Sequence, residues 1–527
     1  MLRRCRPQDV LRHVLAPRWH EWLLLGVLLA LTDHYRWLMD DAFIYFRYAD
    51  NLLFLDRGLV YNAGEYVEGY SSPLWMLWIT AARALGSDFY FAVRATALAC
   101  AAAYGLGLIW LNRRLSPGAH PVSFPLAASA AHYGLTTHFS SGLETPLVQA
   151  LAPLYAAALL RPRSRALQCA MGAAPLVRPE CALLWLAYLP WIVARTRRVP
   201  GWFLVSAALL NGAWLGFRVL YYADFLPNTF YLKDRPHWDW GWDYLWNVAE
   251  THHWPWVLSG LAACAWWGRA ALQRTRLGPR AILLSSAILH ALYVARVGGD
   301  MLYHRYASLP VCLVLCAASG VAESALLLMA ASWRSFLAPL GGLSLALLFG
   351  LARPWQLETH PFWMPESSRN WQLVADAHWH RQHPSLTYRA PRHTQDRRLR
   401  EVYARHRERT DTGAAPEIFV EGFCRQGYRR FAAHVIQEYG LTDAVLARLP
   451  RDFGRPGHKH VQNEARELRK LLLHARKRGV SAWWELPRAP VWVQNNREAL
   501  ALLDRKIHNR HELGANLKLA LTRIQLQ

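Results

Sequence analysis

Two adjacent carboxylates, Asp40 and Asp41, follow the first apolar run of the chain and open the stretch MDDAFIYFRYADNLLFLDRGLVYNAGEYVEGYSSPLW, residues 39–75. A carboxylate at such a point can cap the helix that follows and interact with its dipole. It can also take a proton from a hydroxyl that is about to act as a nucleophile. Behind the pair, Ile44, Arg47, Tyr48 and Asn51 recur at helical spacing. Glu68 and Tyr70 follow a Gly/Asn turn and return towards Trp75, so the loop can fold back over a cavity.

Four further segments carry polar residues between apolar runs. They are Ser141-Gly142-Leu143-Glu144-Thr145, Arg178-Pro179-Glu180, the stretch from Asp224 through Asn228 to Lys233, and Gly298-Gly299-Asp300 with His304 and Arg305. Ionisable residues at membrane depth persist where they are paired or line a wet cavity. Arg178 and Glu180 could form a structural ion pair. Lys233 and Arg305 could be interfacial anchors, but a phosphate partner explains their placement better.

The elements that must position these residues are membrane helices. Up to about Leu351 the sequence is a succession of apolar runs separated by short Arg-rich or Trp/Pro/Gly-rich turns; after Pro354 Arg, His, Gln and Glu take over. This composition divides the chain into a membrane domain, residues 1–352, and a water-soluble domain, residues 353–527. A span needs about 20 mostly apolar residues. Candidate spans lie near 20–38, 89–111, 122–138, 145–160, 166–178, 180–194, 201–222, 254–272, 280–297, 305–321 and 326–351, giving a polytopic α-helical protein of about eleven spans.

Basic clusters set its orientation: Arg3, Arg4 and Arg6; Arg113 and Arg114; Arg161, Arg163 and Arg165; Arg195, Arg197 and Arg198; Arg274, Arg276 and Arg280. All fall on the cytoplasmic side only if Pro73–Leu85 does not cross. We therefore lay that segment along the outer interface, with Trp75 and Trp78 at headgroup level. The first apolar run lacks a small-residue cleavage site and reads as a retained signal-anchor. The polar segments and the C-terminal domain then share the outer, periplasmic face.

The formal charge of +23 would suit nucleic acid in a soluble protein, but here many basic residues sit at helix ends, where orientation and lipid phosphates account for them. No nucleic-acid partner is expected. The 8 cysteines include no CxxC pair and no disulfide framework, and His458 and His460 alone make no metal site. Neither metal nor cofactor is assigned.

Six segments taken in order resemble one family: DDAFIYFRYADNL with GLVYNAGEYVEGYSSPLW (40–75), SGLETPL (141–147), RPE (178–180), DFLPNTFYLK (224–233), GGDMLYHRY (298–306) and GLTDAVLARLPRDFGRPGHKH (440–460). The chain is similar to the GT-C superfamily of polyprenyl-phosphate-sugar-dependent glycosyltransferases. Within it, the likeness is to arabinofuranosyltransferases of the kind that complete mycobacterial arabinan, a group that also includes pilin-modifying arabinosyltransferases. The sequence departs from the usual pattern at RPEC, where Cys181 replaces a glycine, and after Gly298-Gly299-Asp300.

The resemblance implies a GT-C transmembrane fold, outer-face juxtamembrane helices and a C-terminal periplasmic α or α/β domain. It implies a catalytic acidic residue in the first outer loop, on Asp41 or Asp40. It also implies a polyprenyl-phosphate sugar donor, arabinofuranose foremost with mannose or another sugar as the alternative, and a periplasmic protein or glycan as acceptor. Asp41 would be the base and Asp40 would orient the acceptor. Arg178, Lys233 and Arg305 would meet the charge that develops on the leaving phosphate. Glu68, Tyr70, Glu144, Glu180, Asn228, Asp300 and His304 complete the expected substrate contacts.

A transporter accounts for many spans with internal polar residues, and a structural subunit with a glycan-binding tail is a third reading. In the tail, Trp483, Trp484 and Trp492 could stack on sugars or fill a core. Runs such as Arg397–Arg400 and Arg425–Arg430 could lie against anionic lipid or acceptor, or form solvated faces.

Overall fold

The structure, a computed structural model, describes residues 19–115, 123–233, 236–251, 277–300, 304–320, 418–421, 424–431, 433–437, 439–449, 453–455, 458–459, 494–522 and 524. The expected spans near 254–272 and 326–351, the boundary near 352, Arg397–Arg400, His460 and Trp483, Trp484 and Trp492 lie outside the described residues.

Helix dominates, as apolar runs without strand alternation require. Among the described residues three helices are long and apolar enough to cross a membrane: Phe89–Leu115, Gly201–Tyr222 and Gly278–Arg296. Together they mark a helical membrane-type protein. Other expected spans are shorter or broken. Residues 122–138 yield helices Phe124–Ala131 and Tyr133–His138, divided at His132, whose extended backbone (φ −88°, ψ 100°) caps the second. Residues 166–178 and 180–194 are interrupted by 3-10 turns at Ala174–Leu176 and Pro179–Ala182, because Pro175 and Pro179 supply no amide to continue an α-helix. Thr145–Leu160 and Ser308–Ala318 are apolar but short.

The chain forms two compact units. The first gathers the described residues of Met1–Trp37, Val93–Ala207 and His237–Pro384. Its core joins Leu24, Tyr104, Leu108, Tyr155, Leu309 and Leu313. Two pairs fix the first helix, Trp19–His34, antiparallel to Phe89–Leu115: Glu21 with Arg113 at one end, and Asp33 with Arg94 at 2.7 Å at the other. The chain therefore leaves and re-enters this unit at the same end. Arg280, expected in a basic loop, instead lies inside the helix Leu277–Arg296. It donates to the carbonyls of Ala317 and Ser319, both at 2.7 Å, and so satisfies the C-terminus of Ser308–Ala318.

The second unit gathers Leu38–Ala92, Ala208–Pro236 and the described residues of Ser385–Gln527. The helix Ala42–Leu53 packs on Pro73–Ala84 and on Cys424–Arg429. Trp75, expected at the interface, is buried; Trp78, Leu77 and Leu74 form the exposed face. The difference follows from packing, since Trp75, Met76, Ile79 and Arg83 are the face that meets the unit's interior. Strands Ile418–Glu421 and His434–Gln437 pair in parallel, Ile418 opposite His434 and Glu421 opposite Gln437, with Cys424–Arg429 as the connecting helix. A second, antiparallel pair joins Phe453–Arg455 to His458–Lys459.

Candidate functional site

Half of the expected site residues lie in the first unit, and five of these form one ion-pair network. Glu144 ends a bend before the helix Thr145–Leu160 and is fully buried. One of its oxygens accepts from Arg178 Nη1 at 2.9 Å and meets Arg305 Nη2 at 3.5 Å. Arg178 also pairs with Glu180 through Nε, and Arg305 with Asp300 at 3.4 Å. The backbone explains the placement of Asp300. Gly298 (φ +84°) and Gly299 (φ +70°) adopt the left-handed region, and a Cβ on Gly299 would stand 2.5 Å from the Tyr244 ring.

Expected to meet a phosphate, Arg178 and Arg305 are each held between two carboxylates. Among the described residues these two guanidiniums thus join three carboxylates. Both guanidiniums also lie on the Tyr306 ring, at 4.6 and 5.7 Å from its centre.

Beside this network is a small cleft whose wall includes Thr145, Arg178, Glu180, His290, Arg305 and Tyr306. Thr145 Oγ1 and His290 Nδ1 have no hydrogen-bond partner among the described residues. Thr145 closes the polar segment Ser141–Thr145 without having been singled out, and His290 did not stand out because it sits alone in an apolar run. His304 is placed differently. It is buried with its ring 4.3 Å from that of His132, and it does not line the cleft.

In the second unit Asp40 and Asp41 precede the helix Ala42–Leu53, both partly buried. Asp41 stands at the N-cap position, yet its backbone is already helical (φ −59°, ψ −19°) and its side chain makes no capping hydrogen bond. The Cys424 amide donates to Asp40 Oδ2 at 2.6 Å. One ligand atom from each of Asp40, Asp41 and Cys424 lies within 4.8 Å of the others.

The helix behind the pair is anchored from all sides. Arg47 is buried and donates to four main-chain carbonyls, Tyr61 at 2.8 Å, Ala433 at 2.9 Å, Arg430 at 3.3 Å and Gly427. Asn51 donates to Val60 at 2.8 Å and Tyr61 at 3.0 Å. Asp50 holds Arg83 and the Tyr428 hydroxyl, each at 2.9 Å. The Arg47, Tyr48 and Asn51 face is thus an interior surface that binds the rest of the loop.

Glu68 and Tyr70 are buried. Arg218 holds both oxygens of Glu68, while the Tyr70 hydroxyl shares a hydrogen bond with Tyr222 at 3.0 Å. Burial pushes the Tyr70 phenol well above its ordinary value, with the Glu68 charge adding to the effect, so it stays neutral. Asn228 is fully committed. Its amide donates to the carbonyls of Gly440 and Leu441, both at 2.9 Å, and its oxygen accepts from Arg448 at 3.2 Å. Lys233 is half-buried just after the helix Asn228–Leu232.

The main cluster that sequence reasoning missed is also here. Asp224 Oδ1 accepts from Tyr231 at 2.6 Å, and Oδ2 faces Arg448 at 2.6 Å and Lys506 at 3.2 Å. Asp224 and Arg448 lay within quoted motifs, but Lys506 sits among polar residues of an amphipathic helix and carried no signal.

No protein-family model matches the chain. Two curated proteins are similar to it. One is the terminal β-(1→2)-arabinofuranosyltransferase of Corynebacterium glutamicum, 31% identical over 335 residues that cover 53% of this chain and 47% of that protein. The other, of the same name, is from Mycobacterium tuberculosis and is 30% identical over 325 residues, covering 53% of this chain and 52% of that protein. The chain thus spans about half the length of the curated relatives it matches. No solved structure matches it.

Proposed function

We propose that the chain is a GT-C-type glycosyltransferase of the bacterial inner membrane. On this reading it transfers D-arabinofuranose from a polyprenyl-phosphate donor to a hydroxyl of a periplasmic glycan or pilin-like protein. The likeness to two arabinofuranosyltransferases supports the sugar and the reaction class. The observation that carries the mechanism is the placement of Asp40 and Asp41 side by side and partly buried at the start of the helix Ala42–Leu53.

Asp41 takes the proton of the acceptor hydroxyl as that oxygen attacks C1 of the sugar. The bond from C1 to the phosphate oxygen breaks, and its electron pair leaves with the polyprenyl phosphate. Asp40, fixed by the Cys424 amide, orients the acceptor. In the first unit, Glu144, Glu180 and Asp300 are held in place by Arg178 and Arg305. Carboxylates held in this way can accept hydrogen bonds from sugar hydroxyls. Thr145 Oγ1 and His290 Nδ1 offer further hydrogen-bonding positions on the cleft wall. Lys233 remains a candidate contact for the leaving phosphate.

The test uses the purified full chain in detergent with radiolabelled polyprenyl-phosphoryl arabinofuranose and an acceptor glycan. The enzyme should transfer label without a gradient or sealed vesicles; failure of the wild type to consume donor would favour a transporter. Asp41→Asn should lower turnover by about 10²–10⁴-fold at unchanged protein level and Tm. Full activity in that variant removes Asp41 from the chemistry.

A further inference from the structure

Where the Gly201–Tyr222 helix stops, Ala223 adopts the left-handed conformation (φ +51°) and turns the chain so that Asp224 follows directly. Asp224 is a single carboxylate shared by two cations, Arg448 at 2.6 Å and Lys506 at 3.2 Å. Their side chains are only 5% and 6% exposed. Glu68 lies on the same wall but adds no net charge, because Arg218 holds both of its oxygens.

Arg448 is largely spent, with Asn228 Oδ1 at 3.2 Å, the Ala444 carbonyl at 3.1 Å and the Tyr231 ring 3.7 Å below its guanidinium. Lys506 is not. Among the described residues its ammonium meets Asp224 alone, and an ammonium carries three donors. Burial, with Arg448 adding to it, pushes Lys506 below the usual lysine range against the pull of Asp224.

Both cations line a cleft that is open to solvent and bordered also by Tyr66, Tyr222, Leu226 and Asn228. A surplus positive charge so buried is unfavourable unless something negative joins it.

We infer that this cleft is a phosphate-binding site in which Lys506 is the principal donor and Arg448 the supporting one. A guanidinium fork and a point-charge ammonium together suit a tetrahedral oxyanion. The site adjoins the end of an apolar span, and Leu226 and Phe230 beside it are 38% and 50% exposed. Those features favour a phosphate carried on a lipid over a free one. The choice of polyprenyl phosphate as that lipid rests on the proposed function; the anion site does not.

The experiment measures binding of three probes to the purified full chain in detergent: inorganic phosphate, a short-chain polyprenyl phosphate and the matching uncharged polyprenol. The wild type should bind the polyprenyl phosphate at least about tenfold more tightly than the polyprenol, the worth of one charge-assisted hydrogen bond. Inorganic phosphate should compete. Lys506→Met should remove that advantage with Tm unchanged, Lys506→Arg should keep most of it, and Lys518→Met, which removes an exposed charge, should have no effect. Equal binding of polyprenyl phosphate by wild type and Lys506→Met overturns the proposal, as does a wild type that prefers neither phosphate probe. Competition by inorganic phosphate without any gain from the lipid tail overturns the lipid source. Absence of sugar transfer alongside Lys506-dependent phosphate binding would sink the enzymatic reading alone.

Discussion

A carboxylate that opens a helix normally satisfies one of its first free amides, at a gain of about 1 kcal/mol. Asp41 forgoes that hydrogen bond, while Asp40 accepts one from an amide 384 residues away in sequence. On the proposed reading the two carboxylates divide the roles of base and orienter. Glu144 is the other decisive residue, because it joins two guanidiniums that already have a second carboxylate each. Removing it takes one carboxylate from both buried arginines while Glu180 and Asp300 still pair with them, so Glu144→Ala should destabilise the protein by about 1–3 kcal/mol, read as a lowered Tm; an unchanged Tm would show the network to be dispensable. These residue types were legible in the sequence because each lay in a short polar break between apolar runs. Apart from the Arg178–Glu180 pair, their partners were not. Arg218 holds Glu68 across 150 residues, and Lys506 looks like any solvated lysine until Asp224 is folded against it.

Local signals decided the elements where backbone chemistry was explicit. Pro175 and Pro179 break the helices around Arg178, and the Gly298-Gly299 pair turns the chain ahead of Asp300. Gly299→Ala would force a side chain into the left-handed region and against Tyr244, at a cost of about 1–3 kcal/mol. The expected result is a lower Tm with Asp300 displaced from Arg305; wild-type stability would mean that the turn relaxes freely. Span lengths were less legible, since an apolar run records burial but not whether lipid or protein covers it. The helix Pro73–Ala84 illustrates this, burying Trp75 in its unit while Trp78 stays exposed. Arg280 makes the complementary point: a basic residue near a helix start reads as an orientation signal, yet its donors close the end of Ser308–Ala318.

At the scale of the molecule, neither compact unit is a continuous stretch of sequence. Each is drawn from three segments, an organisation that composition cannot disclose because long-range packing creates it. Sidedness is the property of the whole chain most open to direct measurement. Ala63 is exposed in the turn closed by the Asn62–Glu65 bridge. Ala63→Cys should therefore react with a membrane-impermeant maleimide in intact spheroplasts; reaction only after permeabilisation would reverse the proposed orientation. The Arg47 anchor has a kinetic counterpart. Its acceptors Gly427 and Ala433 lie 380 and 386 residues further along the chain, and loop closure over such distances is slow relative to local helix formation. During synthesis the acid pair consequently reaches its working geometry late, so a ribosome stalled before residue 424 would release a nascent chain already inserted but with its first loop still unlocked.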